Sequence, residues 1–104
     1  MKFLMGKIVA TVNARARLQR SDQRPYEFLR RHKNGDWGMI SEEEQFDNEL
    51  SLLAGLHVWS EYLTLHDEVI RICTNPGRSR TVLYTPDDES SLEKFEVLYT
   101  TSKP

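Results

Sequence analysis

Hydrophobic and polar residues alternate with a short period near the N-terminus and then adopt helical spacing. The β-branched stretch over residues 7–12 predicts a strand. Residues 14–20 follow as a short basic helix. A second helix begins at Pro25, whose missing N–H suits the first helical position. It ends at Asn34 and Gly35, where glycine supplies a left-handed cap.

The best-defined element of the sequence is a third helix. Ser41 and Glu44 form a capping box, in which each side chain bonds to the other residue's backbone N–H. Three glutamates in the first turn suit the positive end of the helix dipole. Phe46, Leu50 and Leu53 then share one apolar face of the helix, which ends at residue 55.

After residue 55 the pattern becomes that of consecutive strands. Residues 56–65, 67–74 and 80–85 are rich in β-branched and aromatic side chains, and turn-forming residues separate them. Consecutive strands with short connections predict an antiparallel meander. Pro86 opens a loop or the start of a helix, and the alternation over residues 94–101 predicts a last strand.

Together these elements predict an α+β fold. An N-terminal strand and two to three helices are expected to pack on a three- to four-stranded antiparallel meander. The chain has 104 residues, a length that suits one domain and excludes a large enzyme with a separate cofactor domain. We expect a single domain over 1–104, with frayed ends at 1–5 and 101–104.

Charge is segregated along the chain although the formal net charge is only −2. Residues 1–35 carry nine basic and two acidic side chains, residues 36–70 carry nine acidic and no basic ones, and the remainder balances. The basic third has the residues for phosphate contacts, so RNA is an alternative partner. Few aromatic residues lie there, which disfavours stacking on single strands. The simpler interpretation is that the two thirds neutralise each other, within one chain or between chains.

The cysteine content indicates a reducing compartment. Cys73 is the single cysteine, and a domain this small in an oxidising compartment usually has several disulfides, so we expect a cytoplasmic location. The N-terminal apolar run is too short for a signal peptide, and Lys7 interrupts it. No window approaches the roughly 18 apolar residues that a membrane span needs, so no membrane association is expected.

No pattern in the sequence predicts a metal or a cofactor. The three histidines and Cys73 lack ligand spacings such as H-x-x-x-H or C-x-x-C. Glycine-rich phosphate-binding motifs are absent as well. The Asp-Asp-Glu run over residues 87–89 is interpreted as a solvated acidic turn.

One set of polar residues has the chemistry that metal-independent ribonucleases use. Such enzymes need a general base, a cation for the phosphate and a proton donor for the leaving group. The candidate catalytic residues are His32, Ser60, Tyr62, Arg71, Arg78 and Thr81. His32 lies on the apolar face of its helix and would be the acid or base, while Arg71 or Arg78 would hold phosphate. The structural alternative is that His32 caps a helix end and Arg71 pairs with neighbouring acids.

A motif of charged residues, glycine and tryptophan, R-H-x-x-G-D-W-G, runs from Arg31 to Gly38. Further pieces are G-K-I-V-A-T from Gly6, P-x-x-F-L from Pro25, N-E-L from Asn48, S-x-Y from Ser60, Thr74, and R-S-x-T from Arg78. Over about residues 6–88 the chain resembles a family of small bacterial, plasmid and phage proteins, sometimes labelled as restriction-modification subunits. The family pattern has two acids near the third turn, where this chain has Asn75 and Gly77.

The resemblance implies a small accessory protein of phage or mobile-element type. The family's layout of helices followed by a meander is similar to the barnase/EndoU/RelE-type ribonuclease fold, a likeness of fold that carries no function by itself. Any chemistry that depends on the two acids is not expected here.

Our leading hypothesis is a non-catalytic, cytoplasmic accessory protein that binds a macromolecular partner, most readily a protein, through concentrated negative charge. The candidate binding residues are Arg31, Asp36, Trp37, Glu42, Glu43, Arg78 and Ser79. The alternative function is the ribonuclease described above. A third interpretation is a homodimer in which the basic helix of one copy lies on the acidic helix of another.

Overall fold

The computed structural model describes residues 2–91, and in these the predicted α+β fold is confirmed. The elements in chain order are β1 (Lys7–Ala10), α1 (Val12–Ser21), α2 (Pro25–Lys33), α3 (Glu42–Ala54), β2 (Val58–Leu63), β3 (Val69–Thr74), β4 (Arg80–Tyr84) and a 3₁₀ helix (Pro86–Ser91). The strand predicted over residues 94–101 lies outside the described residues.

The four strands form one sheet in the order β1-β4-β3-β2. The predicted meander is confirmed, because β2, β3 and β4 pair in antiparallel fashion, with Ile72 opposite both Ser60 and Leu83. Strand β1 extends this meander by pairing in parallel with β4. The sheet is therefore mixed, with β1 and β2 as its two edges.

Local capping sets where the helices begin. Ser41 and Glu44 form the predicted capping box: the Glu44 N–H donates to Ser41 Oγ at 3.1 Å and the Ser41 N–H donates to Glu44 Oε1 at 2.9 Å. At the start of α1, the Thr11 hydroxyl accepts a bond from the Ala14 N–H at 3.0 Å. Val12, predicted as the last residue of a strand, therefore opens a helix instead.

The core lies between the helices and one face of the sheet. Its main cluster joins α1 and α2 to inward residues of the strands: Ala14, Leu18, Phe28, Leu29, Tyr62, Ile70, Ile72 and Leu83. A smaller cluster of Trp37, Ile40 and Val58 lies beside it, with Leu52 and Phe3 packed against it. The N-terminal end was predicted to fray, but residues 2–5 are held against the body of the protein. Phe3 packs on the smaller cluster, and the Lys2 N–H donates to the Lys33 carbonyl at 2.8 Å.

The 3₁₀ helix is fixed to the body of the protein by a carboxylate that was expected to be solvated. Asp88 is buried, which corrects that expectation. Its Oδ2 accepts bonds from the Thr11 hydroxyl at 2.7 Å and the Thr85 N–H at 3.0 Å, and its Oδ1 accepts one from the Asn13 amide at 2.8 Å. Asp88 therefore joins the end of β4 to the junction of β1 and α1.

The apolar face of α3 points away from the core. The spacing of Phe46, Leu50 and Leu53 is typical of a helix face turned towards the interior. In the structure these side chains are 62%, 48% and 86% exposed, while Asn48 on the opposite side is only 3% exposed. The inward side of α3 therefore carries Asn48 and Leu52, while Phe46, Leu50 and Leu53 face solvent.

Asn48 faces inward because it satisfies the backbone of the edge strand β2. Its side-chain Nδ2 donates to the Trp59 carbonyl at 2.6 Å, and its Oδ1 accepts from the Trp59 N–H at 3.2 Å. Two residues along the strand, the Glu61 carbonyl accepts from the Met39 N–H at 2.7 Å, and the Glu61 N–H donates to the Trp37 carbonyl at 3.2 Å. An edge strand exposes such groups to pairing with other chains, and here α3 and the loop after α2 cover them.

We expect Asn48→Ala to lower the free energy of unfolding by about 2–3 kcal/mol, because two buried backbone groups of Trp59 lose their partner. Phe46→Ala, on the exposed side of the same helix, is the matched control and is expected to stay within about 0.5 kcal/mol of wild type. Urea unfolding of both variants measures the difference. A larger loss for Phe46→Ala than for Asn48→Ala would contradict this orientation of α3.

Candidate functional site

His32 lies at the centre of a chain of hydrogen bonds in the core. Its Nδ1 is 2.7 Å from the Ser60 hydroxyl and its Nε2 is 3.0 Å from the Thr74 hydroxyl. Thr74 is in turn 2.7 Å from the hydroxyl of Thr81, which donates to the Met5 carbonyl at 2.7 Å. The chain of bonds therefore connects α2 to three strands and to the segment before β1.

Burial keeps this histidine neutral. His32 is 0% exposed, and desolvation, followed by the positive charge of Arg78, lowers its pKa to about 3. Because the Thr81 hydroxyl donates to the Met5 carbonyl, the Thr74 hydroxyl donates to Thr81 and accepts from His32 Nε2. The neutral imidazole therefore carries its proton on Nε2 and accepts at Nδ1 from the Ser60 hydroxyl. His32 thus faces the sheet, in agreement with its predicted place on the apolar face of α2, whereas the alternative that it caps a helix end does not describe these contacts.

Aromatic rings pack on the sides of His32 that the hydroxyls do not occupy. The rings of Phe3 and Trp37 meet it edge-on, at centroid distances of 5.3 and 5.7 Å. The guanidinium of Arg78 lies over the outer side of this layer, 5.5 Å from the Phe3 centroid. Predicted as a binding residue, Trp37 is thus a buried part of the packing around His32.

Arg71 lies on the opposite face of the sheet from His32. Its strand neighbours Ile70 and Ile72 point into the core, and successive side chains of a strand point to opposite faces. Arg71 Nε donates to Glu61 at 2.9 Å across the β2–β3 pair, and the guanidinium also pairs with Glu89. These contacts match the alternative in which Arg71 pairs with neighbouring acids.

The structure therefore brings together only part of the candidate catalytic set. Ser60 and Thr81 belong to the hydrogen-bond network of His32, and Tyr62 lies on the same face of the sheet as Ser60. Arg71 lies on the other face. General acid–base chemistry requires a titrating group within hydrogen-bond reach of the substrate, and His32 has no exposed surface. Sequence reasoning left Thr74 out of the set, although its inward register beside Ile70 and Ile72 marks it as a member of the same face.

The R-H-x-x-G-D-W-G motif forms a structural unit between α2 and β2. Arg31 Nε donates to Asp36 Oδ2 at 2.7 Å, and this bond holds the pKa of Asp36 below its ordinary value. The Arg31 guanidinium lies 4.6 Å from the centroid of the Tyr62 ring, whose hydroxyl donates to the Asp36 carbonyl at 2.7 Å. Trp37 Nε1 donates to Glu49 on α3 at 2.9 Å. Arg31, Asp36 and Trp37 thus hold the loop in place.

The turn between β3 and β4 is organised by the side chain of Asn75. Its Oδ1 accepts from the N–H groups of Ser79 and Arg80 at 2.9 and 3.0 Å. Its Nδ2 donates to the hydroxyl of Ser79, a predicted binding residue, at 2.9 Å. Asn75 therefore holds the hairpin turn through its own side chain.

No group of three or more metal-ligating side chains lies close together in residues 2–91. The Cys73 thiol is largely buried, which raises its pKa to about 11 and keeps it protonated. Within the same residues, no helix is long and apolar enough to cross a membrane.

The outer side of α3 carries a group of exposed large apolar side chains. Phe46, Leu50 and Leu53, here named the α3 stripe, are spaced by four and three residues, so at about 100° per residue they fall within one narrow sector of the helix. That sector is opposite Asn48. Leu56, just beyond the helix, is also exposed.

Acidic residues border the α3 stripe on both sides. Glu42 and Glu49 lie along one side by helical spacing, and Glu43 and Asp47 along the other. Glu49 accepts the Trp37 bond and lies 3.6 Å from Lys2 Nζ. The other three have no basic partner among the described residues. The predicted binding residues Glu42 and Glu43 therefore form part of this acidic border.

Comparison with known proteins adds no relative to these observations: no family model, curated protein or solved structure matches the chain.

Proposed function

We propose that this chain is a non-catalytic accessory protein that binds a basic protein partner through the α3 stripe. The observation that carries the proposal is the orientation of α3, which turns Phe46, Leu50 and Leu53 to solvent and Asn48 to the interior. The cytoplasmic location and the phage or mobile-element origin stay predictions from the sequence.

The energetics of the stripe favour a docking surface. Burying one large apolar side chain is favourable by roughly 1.5–3 kcal/mol, so three exposed ones leave a substantial driving force for association. A grouped apolar surface with a polar border is characteristic of interaction sites. The arrangement of an apolar centre and a charged rim is also the usual anatomy of a protein interface.

The acidic border defines the chemistry of the partner. Glu42, Glu43 and Asp47 have no basic partner within residues 2–91, so their charge is left for an intermolecular contact. Complementary charge at an interface steers encounter and rejects partners of the same sign. The partner surface is therefore apolar at its centre and rich in lysine or arginine around it.

We expect the protein to bind an amphipathic helical peptide built from leucine and lysine, and Leu50→Glu to weaken that binding at least tenfold. The variant places a charge at the centre of the stripe, where contact with the peptide excludes water. Since Leu50 is exposed, the free energy of unfolding is expected to change by no more than about 0.5 kcal/mol. Calorimetric titration and urea unfolding measure the two effects.

Two controls separate this contact from general charge attraction. Leu65→Glu makes the same substitution at another exposed leucine, in the turn after β2, and is expected to bind the peptide like wild type. A peptide with glutamate in place of lysine is expected not to bind. Equal binding of both peptides would show that α3 is not the docking surface. Binding of the lysine-containing peptide by Leu50→Glu as tightly as by wild type would show the same.

A further inference from the structure

Helix α2 presents a second stripe with the same spacing as the first. Tyr26, Arg30 and Lys33, here named the α2 stripe, lie at intervals of four and three residues, on the side of the helix opposite the buried Phe28. The guanidinium of Arg30 is 5.7 Å and the ammonium of Lys33 is 5.8 Å from the centroid of the exposed Tyr26 ring. The α2 stripe therefore combines an aromatic surface with two cations.

The charge of the α2 stripe is not neutralised within the described part of the chain. The neighbouring Arg31 pairs with Asp36, but neither Arg30 nor Lys33 forms an ion pair with an acid of residues 2–91. Arg24, exposed just before the helix, has no such pair there either. Intramolecular neutralisation of the basic and acidic thirds is thus incomplete both on α2 and at the border of the α3 stripe.

We infer that the partner of the α3 stripe is a second copy of this chain, which docks through its α2 stripe; this rests on the proposed function. The two stripes span equal lengths of helix, about 10 Å each. Tyr26 and the alkyl parts of Arg30 and Lys33 cover apolar surface, while their charged ends remain free to reach carboxylates. The carboxylates of Glu42, Glu43 and Asp47 border the stripe that they cover.

Charge also selects this pairing over the symmetric one. Two α3 stripes placed face to face would bring their acidic borders together, and like charges at an interface are strongly unfavourable. An α3 stripe against an α2 stripe brings opposite charges together instead. The contact joins two different surfaces. A copy that binds through its α3 stripe therefore still presents its α2 stripe to a further copy.

Sedimentation velocity of the full chain tests the inference. At low ionic strength the wild-type mass is expected to rise with concentration above the 12.2 kDa of one chain. It is expected to fall back at about 1 M salt, where the screening length is only about 3 Å. Leu50→Glu disables the α3 stripe and Arg30→Glu disables the α2 stripe, so each variant alone is expected to remain a monomer.

Mixing the two variants gives the decisive measurement. Each retains the surface that the other lacks, so the mixture is expected to form a complex of two chains that contains one copy of each. The matched controls are Leu65→Glu and Arg15→Glu, the latter at an exposed arginine on α1, and both are expected to associate like wild type. Circular dichroism confirms that each variant is folded.

The inference is overturned if wild type stays monomeric at its highest soluble concentration, or if the mixed variants form no complex. In either case, binding of the lysine-containing peptide would leave the proposed function intact and indicate a different basic protein as partner. Loss of peptide binding as well would overturn both.

Discussion

Replacing Gly38 by alanine is expected to lower the free energy of unfolding by roughly 4 kcal/mol. Gly38 has φ = +74°, where a side chain adds strain. A Cβ here would also overlap the Glu61 carbonyl oxygen and press on the Tyr62 ring. Gly38 pairs with Glu61 at the edge of β2, so the overlap cannot be relieved without breaking that bridge.

Gly55 provides the matched control, because it has the same φ of +74° at the end of α3. No atom lies within 4 Å of the position that its Cβ would occupy. Gly55→Ala therefore adds conformational strain alone, expected at about 1 kcal/mol. Denaturant unfolding of both variants separates strain from steric overlap. If the two substitutions cost the same, the close approach of the loop to β2 is not what requires glycine at position 38.

The second large effect is the dependence of stability on His32 and on pH. His32→Ala is expected to cost about 3–5 kcal/mol, since it leaves a cavity and removes the partner of the Ser60 and Thr74 hydroxyls. His32→Gln keeps a hydrogen-bonding group at the position and is expected to cost less. Both are measured by urea unfolding at neutral pH.

Acid is expected to destabilise the wild-type protein through the same residue. In the folded state the pKa of His32 is lowered from 6.5 to about 3, so between these values the unfolded chain binds a proton that the folded chain does not. The contribution is fully present above pH 6.5 and is lost progressively as the pH falls towards 3. The loss is on the order of 4 kcal/mol.

Comparison with two histidine variants isolates this contribution from that of the carboxylates. The difference in unfolding free energy between wild type and His32→Gln is expected to shrink as the pH falls from neutral to 4, since only wild type carries the titrating imidazole in the core. His66→Gln, in the exposed turn after β2, is expected to follow the wild-type profile. Parallel profiles for wild type and His32→Gln would show that His32 does not remain neutral in the folded state.

Several local elements were predictable because short-range chemistry decides them. The capping box of Ser41 and Glu44 and the proline at the first turn of α2 involve residues within one helical turn of each other. The strand alternation that turns Ile70 and Ile72 inward and Arg71 outward follows from the pleat alone.

The candidate site was less predictable because its members depend on contacts between distant elements. His32 meets Ser60 and Thr74 across 28 and 42 residues of chain, and the rings of Phe3 and Trp37 complete its enclosure. A list of catalytic residue types cannot distinguish an accessible histidine from an enclosed one. The sequence motif around Asp36 likewise suggested a binding surface, while its side chains hold a loop against β2.

The sequence by itself determined the α+β class, the meander and the limits of α2 and α3, and it determined that Phe46, Leu50 and Leu53 share one face of α3. Only the tertiary structure decided which way that face points. The spacing of apolar residues shows which side chains share a face of a helix. It does not show which hydrogen bonds are required by the surface that the helix packs on. Here that surface is the edge of β2, whose Trp59 backbone requires a donor and an acceptor that Asn48 has and a leucine lacks. Satisfying those two groups turned the apolar face of α3 to solvent.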